Sequence, residues 1–150
     1  MTRQALPVID ATKYASAEGL ARGGYILADA KGKAPEIILI ASGSEVATAL
    51  ETYEKLTAEG VAARVVSMPC WDLFEKQPQA YKDEVLPPHI TARLAIEAAS
   101  PFGWERYVGL EGAVIGMTRF GASAPYKALA EGFGFTAANI VEKAHGLLGR

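Results

Sequence analysis

Short, uninterrupted apolar runs recur along the chain and alternate with amphipathic stretches. The run at 37–40 (IILI) is apolar at every position, as is typical of a strand buried on both faces of a parallel sheet. Runs of this kind predict five strands, at residues 25–28, 37–40, 63–68, 92–96 and 113–117. Most of the segments between them are compatible with helices and long enough for a crossover, so the chain predicts strand–helix–strand units.

Helical spacing is clearest after the second strand. The apolar face of the helix predicted there comprises Val46, Leu50, Tyr53 and Leu56. Weaker patterns predict a broken helix at 71–81, a short one at 101–107, one that begins at 123–125 and a last one from about Thr136. In the helix after Pro125, the face expected to be buried consists of Tyr126, Leu129, Ala130 and Phe133.

These elements predict a three-layer α/β fold. We expect a mostly parallel sheet of about five strands with one antiparallel edge strand, and helices on both faces. A turn at 31–33 (KGK) separates the first two strands so closely that we predict an antiparallel hairpin between them. The polar stretch at 10–24 has no sustained period, and we expect an extended linker there.

Composition narrows the function classes. The 150 residues fit one domain, half of them are hydrophobic, and the formal net charge is −2. Such a balance offers no basic face for nucleic acid, and no apolar run is long enough to predict a membrane span or a signal peptide. The single cysteine, Cys70, has no internal disulfide partner, so a reducing, cytoplasmic setting is expected.

The loop after the second strand, 42–45 (SGSE), has two interpretations. A glycine before a helix N-terminus is typical of phosphate sites, but a lone glycine without lysine matches neither the dinucleotide fingerprint nor the P-loop. Glu45 would also repel a phosphate. Because Ser42 and Glu45 have the spacing of a capping box, capping is the interpretation we favour.

Few other residues suggest chemistry. His89 and His145 belong to no metal-ligand motif, and Cys70 has no base beside it, so a half-buried thiol is expected. The segment 101–107 (PFGWERY) is compatible with a protein interface or with a helix anchored in the core. The Gly-, Ser- and Ala-rich segment 116–125 is expected at the carboxyl edge of the sheet, against a ligand or a partner subunit.

Four long motifs resemble the C-terminal domain of transketolase. They are residues 38–45 (ILIASGSE), 56–69 (LTAEGVAARVVSMP), 108–125 (VGLEGAVIGMTRFGASAP) and 132–139 (GFGFTAAN). The motifs stand in the family's order and cover nearly the whole chain. The resemblance implies that residues 13–150 are this α/β domain and that residues 1–12 are the tail of a preceding pyrimidine-binding domain.

The resemblance also implies a function. Transketolases are homodimers that use thiamine diphosphate and a divalent metal (Mg or Ca) in the pentose phosphate pathway or carbon fixation. They move a two-carbon ketol unit from a ketose phosphate such as xylulose 5-phosphate to an aldose phosphate such as ribose 5-phosphate. Their cofactor lies in the other two domains, so this chain is expected to be inactive alone and to support the dimer.

One site residue follows from the family motif at 2–4 (TRQ). Its arginine, Arg3, would contact the substrate phosphate, for which a guanidinium is well suited. A second hypothesis is a stand-alone α/β module with a regulatory role, whose Ser42 and Gly121 regions would bind a small anionic metabolite.

Overall fold

A five-stranded sheet forms the middle layer of the computed structural model, which describes residues 5–150. The strands are β1 (Tyr25–Ala28), β2 (Ile37–Ala41), β3 (Ala63–Ser67), β4 (Arg93–Glu97) and β5 (Ala113–Gly116). Their order across the sheet is β1-β3-β2-β4-β5. All neighbours pair in parallel except β1, which runs antiparallel to β3. The predicted mostly parallel sheet with one antiparallel edge strand is confirmed.

Helices cover both faces of the sheet, as predicted. They are α1 (Glu45–Ala58), α2 (Trp71–Glu75), α3 (Gln79–Val85), α4 (Glu105–Val108), α5 (Tyr126–Phe133) and α6 (Ala137–Leu148). Successive β2 residues point to opposite faces. Leu39 therefore belongs to the core under α1 and α6, whereas Ile40 belongs to the core under α2, α3 and α4. No helix in the described part of the chain has the length and apolarity needed to cross a membrane.

The predicted hairpin is wrong in its partner. In the structure β1 pairs with β3, where Tyr25 lies opposite Ser67 and Ile26 opposite Val66. Both edges of β2 are occupied by the parallel strands β3 and β4. A strand buried at all five positions is stable in the centre of the sheet, so β1 is left at the outer edge of β3.

The polar stretch before β1 is also more ordered than predicted. It contains a 3-10 helix, Ala17–Arg22, which Gly23 ends in the left-handed conformation with φ +83°. A Cβ at Gly23 would collide with the Cys70 carbonyl oxygen and the Phe74 amide nitrogen. The Cys70 amide donates to the Gly23 carbonyl oxygen at 2.9 Å. Only glycine fits both the backbone conformation and this close approach.

Candidate functional site

The carboxyl edge of the sheet has a crevice where the winding direction of the strands reverses. From β2 the chain crosses to β3 on one side, and it then crosses over to β4 on the other side. Connections diverge at such a point, and open α/β sheets bind their ligands there. Ser42 directly follows β2 and Glu97 ends β4, so both residues lie at this switch point.

Ser42 and Glu97 are joined across the crevice. The Ser42 hydroxyl donates to Oε2 of Glu97 at 2.5 Å. The predicted capping box is therefore wrong: α1 has Ser44 as its N-cap and no side-chain capping bond. The Ser44 hydroxyl instead donates to Oε1 of Glu45 at 2.8 Å. Ser42 bonds a carboxylate because such a charge-assisted bond is stronger than one to a helix amide.

The charge of this edge is negative. Partial burial raises the pKa of Glu97, the Ser42 hydrogen bond lowers it, and repulsion by Glu45 raises it further. Glu45 itself is buried in the first turn of α1. The pair of carboxylates would repel an anion, so the geometry argues against both the phosphate-binding interpretation of Ser42 and the anion-binding module.

Aromatic side chains form one wall of the crevice. Trp71, Phe102 and Trp104 line a depression of about 350 Å³ together with Ser42 and Glu97. The indole rings of Trp71 and Trp104 pack edge to face, with centroids 5.0 Å apart. Trp104 is buried, whereas Phe102 is 85% exposed.

The interpretation of the segment 101–107 as anchored in the core is confirmed, and its interpretation as a protein interface stays a prediction. Trp104 and Tyr107 anchor the segment in the core, and the Tyr107 hydroxyl donates to Oε1 of Glu75 at 3.0 Å. Burial, together with that carboxylate, raises the pKa of Tyr107 to about 12. Phe102 projects into solvent at the rim of the crevice.

A second feature of the same edge is the apolar surface formed by the loop after β5 and by α5. Phe120 is 98% exposed and Tyr126 is 48% exposed. The prediction that α5 has a buried face is wrong: none of its residues is buried, and Ala130 and Phe133 only pack against the core from outside. The helix therefore lies at the edge of the core, and only the side with Ala130 and Phe133 is in contact with it. We call Phe120 and α5 the docking face.

The other residues considered in the sequence analysis lie outside the lining of the crevice or outside the described residues. Nε2 of His145 lies 2.8 Å from Oε2 of Glu59, which ties α6 to the end of α1. His89 lies in an exposed loop, and Cys70 is a half-buried free thiol, as predicted. Arg3 lies outside the described residues, so its role stays a prediction. The sequence analysis missed Glu97, although an acidic residue at the end of a parallel strand is itself a signal for this edge.

The described residues do not fit thiamine diphosphate and its metal. Among residues 5–150, no three His, Cys, Asp or Glu side chains lie close enough together to hold a metal ion. At the crevice, Glu45 and Glu97 would repel a diphosphate.

A model of the transketolase-like TK C-terminal domain matches residues 23–136. The chain belongs to this family. It is 49% identical over 150 residues to the transketolase of Geobacillus stearothermophilus, covering all of this chain and 22% of that protein. It is 59% identical over 129 residues to transketolase 1 of Escherichia coli, covering 86% of this chain and 19% of that protein.

The structure is also similar to solved structures of transketolases. A transketolase from Pichia stipitis, crystallised in complex with sedoheptulose 7-phosphate, superposes with a TM-score of 0.86 at 35% identity. The match covers 98% of this chain and 20% of the Pichia chain. The chain thus spans about a fifth of the length of the curated transketolases that it matches.

Proposed function

We propose that this chain serves as the C-terminal domain of a cytoplasmic, homodimeric transketolase in the pentose phosphate pathway. The complete enzyme would transfer a two-carbon ketol unit from xylulose 5-phosphate to ribose 5-phosphate, with thiamine diphosphate and Mg or Ca held by its other domains. Family membership supports this assignment, as does the fact that the relatives are about five times longer. The free thiol of Cys70 fits a reducing compartment.

The role of the chain itself would be to dock onto the rest of the enzyme. The observation that carries this proposal is the docking face, where Phe120 is almost fully exposed and the apolar side of α5 is incompletely covered. Exposed apolar surface of this kind is typical of protein interfaces. Because the family's remaining domains make up the other four-fifths of the enzyme, we assign them or the second subunit as the occupant.

The domain boundary and Arg3 belong to the same proposal. Residues 5–10 are exposed and contain no helix or strand, whereas the Ala15 amide donates to the Leu27 carbonyl oxygen at 2.9 Å. This supports a tail at 1–12 and a domain at 13–150. Arg3 would then lie in the tail that leads to the substrate site, where its guanidinium would bind the sugar phosphate.

Complementation tests the docking role. The chain alone, assayed with xylulose 5-phosphate, ribose 5-phosphate, thiamine diphosphate and Mg²⁺, should show no ketol transfer. Adding it to Geobacillus stearothermophilus transketolase that lacks its matching last fifth should restore a dimer of higher activity. A Phe120→Glu variant should associate at least tenfold more weakly, because a central aromatic contact contributes about 2 kcal/mol.

The matched control is Leu110→Glu, which places the same charge at a fully exposed residue outside the docking face. It should associate like the original chain in sedimentation experiments. Ketol transfer by the chain alone would refute the assignment as a non-catalytic domain. Equal association of both variants would refute the docking face.

Kinetics test Arg3 in the enzyme that contains the complete tail. An Arg3→Ala variant should have a KM for ribose 5-phosphate raised about tenfold, since one charge-assisted phosphate contact is lost. Its KM for unphosphorylated ribose should not change. A parallel rise in both KM values would exclude a phosphate-specific role.

A further inference from the structure

The crevice between β2 and β4 is not used by the docking role, and its lining has a definite chemical character. We propose that it binds an organic cation, with an ammonium group at Glu97 and an apolar part against Trp71 and Phe102. A volume of about 350 Å³ lies within the range of small-molecule sites, roughly 300–1,000 Å³.

The carboxylate of Glu97 has capacity for a ligand. Among the hydrogen bonds of the described residues, only the Ser42 hydroxyl contacts this carboxylate, and it uses Oε2. That leaves Oε1 for an ammonium donor, and no Lys, Arg or His side chain is among the residues that line the crevice. A cation bound there would relieve the repulsion between Glu97 and Glu45.

The aromatic wall favours an organic cation over other ligands. Trp71 is half-buried and Phe102 is exposed at the rim, so both offer ring surface to a cation. A divalent metal would need several oxygen ligands, and Glu97 is the one carboxylate that lines the depression. The partial positive charge at the N-terminus of α1 is already offset by Glu45, so an anion gains little there.

Tryptophan fluorescence can report binding directly, because both tryptophans of the chain, Trp71 and Trp104, line the crevice. The 150-residue chain would be titrated with benzylammonium at pH 7, and with benzyl alcohol as the neutral analogue of the same shape. We expect a saturable fluorescence change with a Kd of about 1 mM, the affinity expected of a ligand with so few heavy atoms. Benzyl alcohol should bind at least tenfold more weakly.

Variants separate the two parts of the site. Glu97→Gln keeps the shape of the side chain and should weaken benzylammonium binding at least tenfold, whereas Glu111→Gln, at an exposed carboxylate outside the crevice, should not change it. Phe102→Ala removes an exposed ring without disturbing the core, and it should weaken binding about threefold. Thermal melts would confirm that each variant is folded.

Four results would overturn the proposal. They are no saturable change up to 20-fold above the expected Kd of about 1 mM, benzyl alcohol bound as well as benzylammonium, a Glu97→Gln variant that binds normally, or inorganic phosphate that binds in place of the cation.

Discussion

An ion pair between the buried Arg64 and the half-exposed Asp29 provides the sharpest test of how this fold is held together. Arg64 lies on β3, and its guanidinium donates to both carboxylate oxygens of Asp29 at 2.8 Å. It also donates to the carbonyl oxygen of Glu84 at 2.6 Å and to that of Val85 at 3.2 Å. One side chain thus joins β3 to the loop after β1 and to the end of α3.

The perturbation is Asp29→Asn, which keeps the shape of the side chain and removes its charge. The Arg64 side chain is 9% exposed and that of Asp29 is 44% exposed. Removing one partner of a fully buried pair costs about 3–5 kcal/mol, but water can reach the half-exposed Asp29 position. We therefore expect the free energy of unfolding to fall by about 2 kcal/mol, which corresponds to a melting temperature lowered by roughly 4–8 °C.

Urea denaturation followed by circular dichroism measures this loss. The midpoint should fall with no change in the slope of the transition. Asp72→Asn is the matched control, since it removes the same charge from an exposed residue on α2, and it should change stability by less than about 0.5 kcal/mol. If Asp29→Asn costs no more than the control, the pair does not stabilise the fold and the reasoning fails.

Three further outcomes can be measured by thermal or urea melts. Gly23→Ala should lower the free energy of unfolding by about 3 kcal/mol or more, because it adds backbone strain and a collision. Gly32→Ala, at φ +74° with open space around it, should lower it by only about 1 kcal/mol, and equal losses would contradict the close approach at Gly23. Partial burial raises the pKa of Glu97 above its ordinary value of 4.5, so the stability of the fold should fall as pH rises above that value. Glu97→Gln should therefore be more stable than the original chain at pH 7 but not at pH 4, and a pH-independent difference would contradict this. Thr136→Ala should cost about 1 kcal/mol because the Thr136 hydroxyl caps α6, whereas Ser44→Ala should cost almost nothing because Ser44 makes no side-chain capping bond. Equal costs of the two substitutions would contradict the assignment of the cap.

The strands could be predicted because their signal is local. The apolar run of β2 is uninterrupted because the strand is buried on both faces, and such a run is visible in the sequence itself. The partner of β1 could not be predicted in this way. A short polar connection favours a hairpin, but β3 and β4 occupy both edges of β2, so β1 pairs with the free edge of β3.

The capping box failed for a related reason. Ser42 and Glu45 have the required spacing, but the hydroxyl of Ser42 bonds Glu97, 55 positions further along the chain. Spacing along a helix carries no information about an acceptor on a neighbouring strand. The exposed face of α5 is similar, since its periodicity is the same whether the protein's own core or a partner covers it.

The two proposed surfaces lie at the same edge of the sheet, and the helix of one and the tryptophans of the other pack on different cores. The α5 side of the docking face packs through Ala130 and Phe133 toward the core under α1 and α6. Trp71 and Trp104 belong to the other core, under α2, α3 and α4. The α5 part of the docking face and the tryptophan wall of the crevice therefore rest on different faces of the sheet. Glu97 pairs with Gly116 on β5, and the loop that carries Phe120 follows directly, so both variants are to be measured in both assays. We expect Phe120→Glu to weaken docking alone and Glu97→Gln to weaken cation binding alone, and loss of both functions in either variant would show that the two surfaces are coupled.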